Sequence, residues 1–375
     1  MRRTRSAACR GAYEDRVRGN DPLVVRLRTV SPTQPGYGRR RVEPDPTKDF
    51  AYLDLEGLEL EGDELERCVA LVIPPAWEEV WICSLPNGHI QAVGTDEAGR
   101  RQYRYHEAWR VKRDAAKHER VLEVAQNLPG ARRRAGKDLR REGMPYERAM
   151  GAAFRLLDLG FFRIGGEAYA EENHSYGLAT IRREHVSFED GQVVFDYIAK
   201  SGKERYIGLV DKAVMAAVRA LVERDDDNPE LLAYETEDGW HDVTSTEING
   251  YVKDIVGGEV SAKDFRTWHG TVIAAVELAE RVHSATTDSK RKRAVSAAMK
   301  DVSTYLGNTP AVARKSYVDP RLIDLFNDGI TIDPALAVGK RDLAGGTTHG
   351  RIEKAVHELL TTSKRTLRKE LPHLH

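Results

Sequence analysis

Three isolated basic residues and one tyrosine are the side chains of this 375-residue chain whose type and setting could support chemistry. Arg163 follows a helical pattern, Lys200 lies at the tip of a hairpin pattern, and Arg266 lies at the start of a further helix. Tyr317 lies in the segment KSYVDPR, shortly after the helix stop LGNTP at residues 306–310. Arginine stays protonated and offers paired donors to an anion, a lysine can transfer a proton, and a phenol can act as a nucleophile. These four residues are therefore the candidate site.

Other common reaction classes lack their sequence motifs. The chain has no GxxxxGK[ST], no GxGxxG opening a βαβ unit and no HExxH, so neither nucleotide-phosphate chemistry nor metalloprotease chemistry is expected. Its three cysteines, Cys9, Cys68 and Cys83, form no C-x-x-C pair, which argues against a disulfide framework and a thiolate metal site. We therefore expect a protein without metal or cofactor in a reducing compartment.

Charge is spread unevenly along a chain whose net charge is only -1. Residues 1–47 carry eleven arginines against five acidic residues, and residues 97–121 carry eight basic residues against four acidic ones. Residues 132–141 include six basic residues, whereas acidic residues concentrate at 54–66 and 223–242. Such segregation allows a basic surface on a nearly neutral protein, and a polyanion is one natural partner. The alternative is that each run is a solvated helix face.

The apolar runs are short. The longest, Val69 to Ala76 and Val272 to Val276, are under half the roughly 20 residues needed to cross a bilayer. The arginine-rich N-terminus contains Glu14 and Asp15 and lacks the apolar stretch of a secretory signal. These features predict a soluble, cytoplasmic protein with no membrane association.

Hydrophobic periodicity divides the chain into three parts and predicts an α+β protein. Residues 1–47 read as a flexible basic arm, and residues 48–110 as a small β-rich N-terminal domain with Gly-containing turns. Residues 111–375 read as a mainly α-helical domain that carries a small three-stranded sheet. Its strands are expected at 178–186, 193–199 and 206–209, and its helices at 146–159, 211–223, 245–256, 265–281, 289–306 and 352–371.

The order of the site residues resembles that of the type IB DNA topoisomerases, especially the bacterial and poxvirus branch. The shared order is Arg, Lys, Arg, a polar residue in LGxTP and Tyr in KSYVDPR. The segments IPPAW at 73–77, PNGH at 86–89 and RQYRYH at 101–106 also look like the N-terminal domain of that branch. The resemblance covers about residues 48–335. It implies a DNA breaking-rejoining fold in which the two domains close on the duplex as a C-clamp.

The resemblance assigns a role to each site residue. Tyr317 is expected to attack the scissile phosphodiester and form a 3′-phosphotyrosine, while Arg163 and Arg266 meet the charge of the transition state. Lys200 is expected to be the general acid for the leaving 5′-oxygen, with Lys203 as the second choice. Strand rotation and resealing would then relax positive and negative supercoils without ATP or metal.

One position departs from the family pattern. The residue before Thr309-Pro310 is His in the poxvirus and eukaryotic enzymes, but here it is Asn308. An amide can still donate a hydrogen bond to a phosphate oxygen, although it cannot become cationic. We expect Asn308 to keep the role as a neutral donor, and His269, three residues after Arg266, to be structural.

The expected partner is double-stranded DNA, bound by a monomer at the nucleoid without an obligate protein partner. The segment Arg101, Gln102, Tyr103, Arg104 and Tyr105 interleaves cations, an amide and aromatic rings on one strand. It could contact bases and phosphates, or its rings could pack on one sheet face. The resemblance favours DNA contact, with Tyr169 and Gln102 as base readers.

Two other functions remain open from the sequence. A tyrosine recombinase uses the same Arg, Lys, Arg and Tyr chemistry, but its HxxRH pattern is replaced here by KDFRT at residues 263–267. A DNA-binding protein without chemistry would lose one or more of the site residues, and all four are present. Phe161, Phe162, Trp77 and Trp81 are expected to be core residues.

Overall fold

The computed structural model describes residues 26–45, 48–166, 170, 174–337, 349–363 and 366–367. The described chain divides into two units, residues 26–117 and residues 118–367. Each unit has its own hydrophobic core. The sequence predicts a domain boundary between residues 110 and 111. The division between the two units falls between residues 117 and 118, inside a long helix.

The first unit is built on a five-stranded antiparallel sheet in the order β2-β1-β3-β4-β5. Its elements are β1 (Tyr37–Asp45), β2 (Lys48–Leu53), α1 (Gly62–Ala70), β3 (Glu78–Ile82), β4 (Ile90–Thr95) and β5 (Arg101–Tyr105). The fully buried Cys68, Ile82 and Ala92 form the centre of one of its two small cores. The β-rich character expected of residues 48–110 is therefore present in β2 to β5, and β1 precedes that range.

Strand β1 corrects the expectation of a flexible arm over residues 1–47. Arg39 lies in β1 and donates hydrogen bonds to the carbonyls of Ile73, Pro74 and Trp77 at 2.8–2.9 Å. Its guanidinium carbon also lies 4.2 Å from the centroid of the Phe50 ring. An arginine can thus be a structural residue of a sheet, which composition alone does not reveal. Residues 1–25 and 46–47 lie outside the described residues.

The second unit is mainly helical. Its helices are α2 (Glu107–Asp138, which begins in the first unit), α3 (Tyr146–Gly160), α4 (Lys212–Val222), α5 (Ser245–Val256), α6 (Ala262–Arg281), α7 (Asp288–Leu306), α8 (Pro310–Ser316), α9 (Pro320–Asn327), α10 (Pro334–Ala337) and α11 (Arg351–Thr361). The periodic segments therefore form helices close to the expected bounds, except that the last helix ends at Thr361. No helix in the described ranges is long and apolar enough to cross a membrane.

The second unit also carries the expected three-stranded sheet, in the order β6-β7-β8. Its strands are β6 (Val186–Glu189), β7 (Gln192–Ala199) and β8 (Lys203–Leu209), followed by the hairpin β9 (Ala233–Thr236) and β10 (Gly239–Asp242). The expectation of a strand over 178–186 was wrong, because residues 178–180 and 183–185 are 3-10 turns. The buried Leu178, Ala179 and Thr180 there pack in the core as a turn, and their apolar run does not distinguish a turn from a strand.

Helix α6 is the central element of the helical unit. Its residues from Phe265 to Val276 are all buried, including Trp268 at 1% exposure. A capping box starts it, since the Asp264 carboxylate accepts hydrogen bonds from the backbone N–H and the hydroxyl of Ser261 at 2.9 and 3.0 Å. Arg120 donates to the same carboxylate at 2.8 Å. The hydrogen bonds of Asp264 with Ser261 and Arg120 therefore fix the start of the helix that carries Arg266.

Candidate active site

The end of helix α7 is the scaffold of the site. Asn308 donates its backbone N–H to the carbonyl of Ser303 at 3.0 Å, and Gly307 donates to the carbonyl of Thr304 at 3.3 Å. Gly307 has a φ of 60°, a left-handed conformation that glycine adopts without strain. This Schellman arrangement ends the helix sharply and leaves its last carbonyls without helical partners.

Two candidate arginines bind successive carbonyls at this helix end. Arg266 donates to the carbonyl of Leu306 at 2.6 Å, and Arg163 donates to the carbonyl of Gly307 at 2.9 Å. Arg266 also donates to the carbonyl of Phe161, two residues before Arg163. The C-terminal end of a helix favours cations, because unpaired carbonyls give it partial negative charge. The helix end therefore brings together two residues that are 103 positions apart in the chain.

Tyr317 lies beside Arg266 at the end of a short helix. Helix α8 begins where the Thr309 hydroxyl accepts the backbone N–H of Val312, with Pro310 in its first turn. Tyr317 follows the helix and is half-buried. The guanidinium carbon of Arg266 lies 5.2 Å from the centroid of its ring. The hydroxyl of Thr271 on α6 donates to the Tyr317 carbonyl at 3.2 Å, so α6 fixes the tyrosine backbone as well as Arg266.

The cations around Tyr317 change its acidity. Burial by itself would raise the pKa of the phenol, but the charges of Arg266, Arg163 and Lys263 and a hydrogen bond from Arg266 outweigh it, and the pKa is lowered. Burial lowers the pKa of Arg266 to about 10, although Tyr317 partly opposes this effect. Arg266 is 4% exposed and still carries its charge at neutral pH. The arrangement therefore favours loss of the phenol proton.

Asn308 presents an amide without a protein partner. Both its amide nitrogen and its amide oxygen are buried, and within the described part of the chain neither makes a hydrogen bond. A buried polar atom without a partner costs about 1–3 kcal/mol and needs an explanation. Asn308 directly follows Gly307, whose carbonyl holds Arg163. The unbonded amide therefore belongs to the residue next to the carbonyl that binds Arg163.

Lys200 lies in a turn of the three-stranded sheet of the second unit. It is exposed in the turn of residues 200–202 that joins β7 to β8, as the hairpin pattern predicts. The second choice, Lys203, is partly exposed at the start of β8. Hydrogen bonds at the end of α7 thus bring Arg163 and Arg266 together. Lys200 lies at the tip of the β7–β8 hairpin.

Two residues near the site were missed by sequence reasoning. Arg205 on β8 donates to the carbonyls of Thr304 and Tyr305 at 3.1 and 2.8 Å. The buried Tyr197 on β7 forms a hydrogen bond with Arg205, and the charges of Arg205, Arg266 and Arg163 act on its phenol. One sequence feature could have indicated Arg205: it is an arginine on the strand face that also carries the buried Ile207 and Leu209.

His269 belongs to a buried polar network rather than to the group around Tyr317. Its Nε2 lies 3.3 Å from an oxygen of Asp158, and His349 lies 3.6 Å from the same oxygen. These three side chains could in principle hold a metal ion. Arg132 already donates two hydrogen bonds to the Asp158 carboxylate at 2.8–2.9 Å, and Arg155 donates a third at 3.2 Å. The network fits an ion-paired core better than a metal site, because arginine neutralises the carboxylate.

The basic strand of the first unit is β5, at the edge of its sheet. Arg101 and Tyr103 are exposed, and the ring of Tyr103 stacks on that of Tyr105 with centroids 5.9 Å apart. The other face is occupied, since Gln102 donates to Asp96 at 2.9 Å and Arg104 donates to the Val72 carbonyl at 2.5 Å. Tyr169, the other expected base reader, lies outside the described residues. Phe161 and Phe162 are buried, as expected of core residues, while Trp77 and Trp81 are partly buried.

Comparisons with known proteins point to one family. Residues 106–327 match the family described as eukaryotic DNA topoisomerase I, catalytic core, and residues 49–96 match the bacterial DNA topoisomerase IB N-terminal domain. The DNA topoisomerase 1B of Acanthamoeba polyphaga mimivirus is 28% identical over 284 residues, which are 74% of this chain and 84% of the viral protein. The DNA topoisomerase I of Monkeypox virus is 21% identical over 258 residues, 68% of this chain and 78% of that protein.

A eukaryotic relative matches over a shorter stretch. The DNA topoisomerase 1 of Schizosaccharomyces pombe is 27% identical over 167 residues, which are 44% of this chain and 19% of that protein. The region that matches the catalytic core includes Arg163, Arg266 and Tyr317. Because this match covers more than half of the chain, and the match to the bacterial N-terminal domain precedes it, the chain belongs to the type IB DNA topoisomerase family.

Proposed function

We propose that Tyr317 is the nucleophile with which this topoisomerase cleaves one strand of double-stranded DNA. The observation that supports this most is the half-buried phenol beside Arg266, with Arg163 on the next carbonyl of the same helix end. The phenol oxygen forms a bond to the scissile phosphorus, and the bond from phosphorus to the 5′-oxygen breaks. The phenol loses its proton, and the product is a 3′-phosphotyrosine with a free 5′-hydroxyl.

Arg163 and Arg266 stabilise the charge that the transition state gathers on the nonbridging oxygens. Guanidinium groups suit this role, because they stay protonated and donate two parallel hydrogen bonds. Each is expected to contribute roughly 3–4 kcal/mol, by analogy with an oxyanion-hole donor. The carbonyls of Leu306 and Gly307 hold these groups in place before DNA binds, so little reorganisation is needed.

Asn308 adds a neutral hydrogen bond to one nonbridging oxygen. Its buried amide, which makes no hydrogen bond to the described chain, supports this role. Histidine at this place in related enzymes can be cationic, whereas an amide is neutral at every working pH.

Lys200 is the proposed general acid for the leaving 5′-oxygen, with Lys203 as the alternative. A DNA substrate with sulfur in place of the bridging 5′-oxygen separates the two, because a thiolate is a good leaving group without protonation. If Lys200 is the acid, Lys200→Ala cleaves the oxygen substrate slowly and the sulfur substrate at the wild-type rate, while Lys203→Ala cleaves both normally. The reverse pattern would transfer the role to Lys203.

Relaxation follows from the reversibility of the covalent step. The phosphotyrosine link conserves the energy of the ester, so the 5′-hydroxyl can attack it and reseal the strand without ATP or metal. Between the two steps the downstream duplex rotates, and superhelical strain of either sign drives the rotation.

The family resemblance supports the further proposal of a bacterial, nucleoid-associated cytoplasmic enzyme that acts as a monomer without an obligate partner. Its two units would close on the duplex as a C-clamp. We propose that DNA meets the face of β5 that carries the exposed Arg101 and Tyr103 and the partly buried Tyr105. Affinity would fall steeply with salt, because phosphate contacts release counterions.

The deciding experiment is relaxation of positively and negatively supercoiled plasmid in EDTA without ATP, comparing the wild type with Tyr317→Phe. We expect the wild type to relax both substrates and the variant to relax neither while binding DNA normally. Tyr206→Phe, at an exposed tyrosine on β8 that bonds Glu189, serves as the control for loss of a phenol outside the site. Relaxation by Tyr317→Phe would overturn the assignment of the nucleophile, and exchange of strands between two duplexes by a tetramer would favour a recombinase.

A further inference from the structure

Arg205 is a third arginine at the end of helix α7. It lies on β8, five residues after Lys200, and its two terminal nitrogens donate to the carbonyls of Thr304 and Tyr305 at 3.1 and 2.8 Å. The next two carbonyls, of Leu306 and Gly307, accept from Arg266 and Arg163. Four successive carbonyls therefore bind three guanidinium groups from three separate elements.

The positive charges gathered at this helix end must be offset. Burial lowers the pKa of Arg205, the phenol of Tyr197 raises it, and the nearby charge of Arg163 lowers it again. Like charges at this spacing repel one another, so they need a common source of negative potential. The carbonyls at the C-terminal end of α7 provide it, because their dipoles give this helix end partial negative charge.

Arg205 also packs directly on the turn that carries Asn308. A methyl group placed on Gly307 would lie 2.8 Å from Cδ and 2.9 Å from Nη1 of Arg205. The Arg205 side chain thus covers the backbone of Gly307, between Leu306 and Asn308. A change in this side chain therefore alters the packing around Gly307, the residue that directly precedes Asn308.

We infer that Arg205 is a positioning residue for DNA cleavage, an inference that rests on the proposed function of the site. Arg205 holds the last turn of α7 so that Arg163, Arg266 and Asn308 face one phosphate. It also joins that turn to the hairpin whose tip carries Lys200. Arg205 acts through these residues, since it packs on the turn between Leu306 and Asn308 and bonds the carbonyls of Thr304 and Tyr305.

The primary test is Arg205→Lys, which keeps the charge but cannot span two carbonyls. We expect single-turnover cleavage at saturating DNA to slow by about tenfold to a hundredfold, since a displacement of about 1 Å in a site has an effect of this size. The dissociation constant for DNA should stay within about threefold of the wild type. Arg219→Lys, at an exposed arginine on α4, is the matched control and should cleave normally. A cleavage rate of Arg205→Lys within twofold of the wild type would overturn the inference.

A double-mutant cycle separates positioning from a general loss of stability. If Arg205 acts through Asn308, the combined variant Arg205→Lys and Asn308→Ala should lose less than the product of the two single losses. Fully multiplicative losses would count against positioning. If Arg205→Lys does not fold, Arg205→Gln, which keeps one donor, takes its place in the same cycle. An inactive Tyr317→Phe together with a normal Arg205 variant would remove this inference and leave the proposed function intact.

Discussion

The guanidinium of Arg266 lies over the ring of Tyr317, with its central carbon 5.2 Å from the ring centroid. The same guanidinium donates to the carbonyls of Phe161 and Leu306. One buried arginine therefore contacts the tyrosine, the loop that carries Arg163 and the helix end that precedes Asn308. Its position sets the geometry of the whole group and the acidity of the phenol.

Tyr317 should ionise below the ordinary tyrosine pKa of about 10. The charges of Arg266, Arg163 and Lys263 stabilise the phenolate more than burial destabilises it. Ultraviolet titration of the wild type minus Tyr317→Phe isolates this phenol from the other 13 tyrosines. The control is the same subtraction with Tyr206→Phe, which isolates the phenol of Tyr206. That phenol should titrate above the ordinary value, because Glu189 raises the pKa of Tyr206. A Tyr317 midpoint at or above that of free tyrosine would contradict the prediction.

Asn308→Ala should slow single-turnover cleavage by about one to three decades, since it removes a donor to the phosphate. Folding should be unaffected or slightly improved, because the buried amide makes no hydrogen bond to the described chain. Asn308→His restores a donor and should recover part of the rate, with a new dependence on pH near 6–7. Asn327→Ala, at an exposed asparagine at the end of α9, is a control outside the site. An unchanged cleavage rate in Asn308→Ala would remove Asn308 from the mechanism.

Gly307→Ala should impair both stability and cleavage. A residue other than glycine at a φ of 60° costs about 1–2 kcal/mol, and the added methyl group would also displace Arg205. Gly258→Ala separates the two effects, because Gly258 has a φ of 73° and an added methyl there would meet no atom within 4 Å. The melting temperature should fall in both variants, whereas DNA cleavage should slow only in Gly307→Ala. Equal cleavage by the two variants would show that displacement of Arg205 has no catalytic effect.

His349 should make the free energy of unfolding depend on pH between about 4 and 6.5. Burial lowers its pKa to about 4 in the folded protein, so in this range the unfolded state binds a proton that the folded state does not. Stability should therefore fall as the pH drops, by about 2 kcal/mol between pH 7.5 and pH 5. Urea unfolding of the wild type and His349→Gln at both values measures this contribution.

The exposed His283 provides the control for that experiment. His283→Gln should keep the wild-type dependence on pH, whereas His349→Gln should flatten it. An identical dependence in the wild type and His349→Gln would show that His349 is as easily protonated in the folded chain as in the unfolded one.

The sequence predicted helices α3 to α7 close to their observed bounds, because their signals are local, whereas the periodic segments do not include the longest helix, α2. Helix α5 has the predicted bounds, and a capping box of Thr244 and Glu247 starts it. Strand β1 was missed because its arginines resemble those of a disordered segment, although Arg39 is bonded to three carbonyls that lie 34 to 38 residues away. Turns at 178–185 were mistaken for a strand because apolar runs alone do not specify backbone conformation.

The sequence by itself determined which residues could form the site, since Arg163, Lys200, Arg266 and Tyr317 are recognisable by type, order and local motif. Only the tertiary structure decided how they are held. Arg163 bonds a carbonyl 144 positions away, Arg266 bonds carbonyls 105 and 40 positions away, and Arg205 bonds one 99 positions away. Such pairs depend on how helices and strands pack, and no local pattern encodes them. The physical reason that they converge is the end of helix α7, whose terminal carbonyls attract three cations to one place.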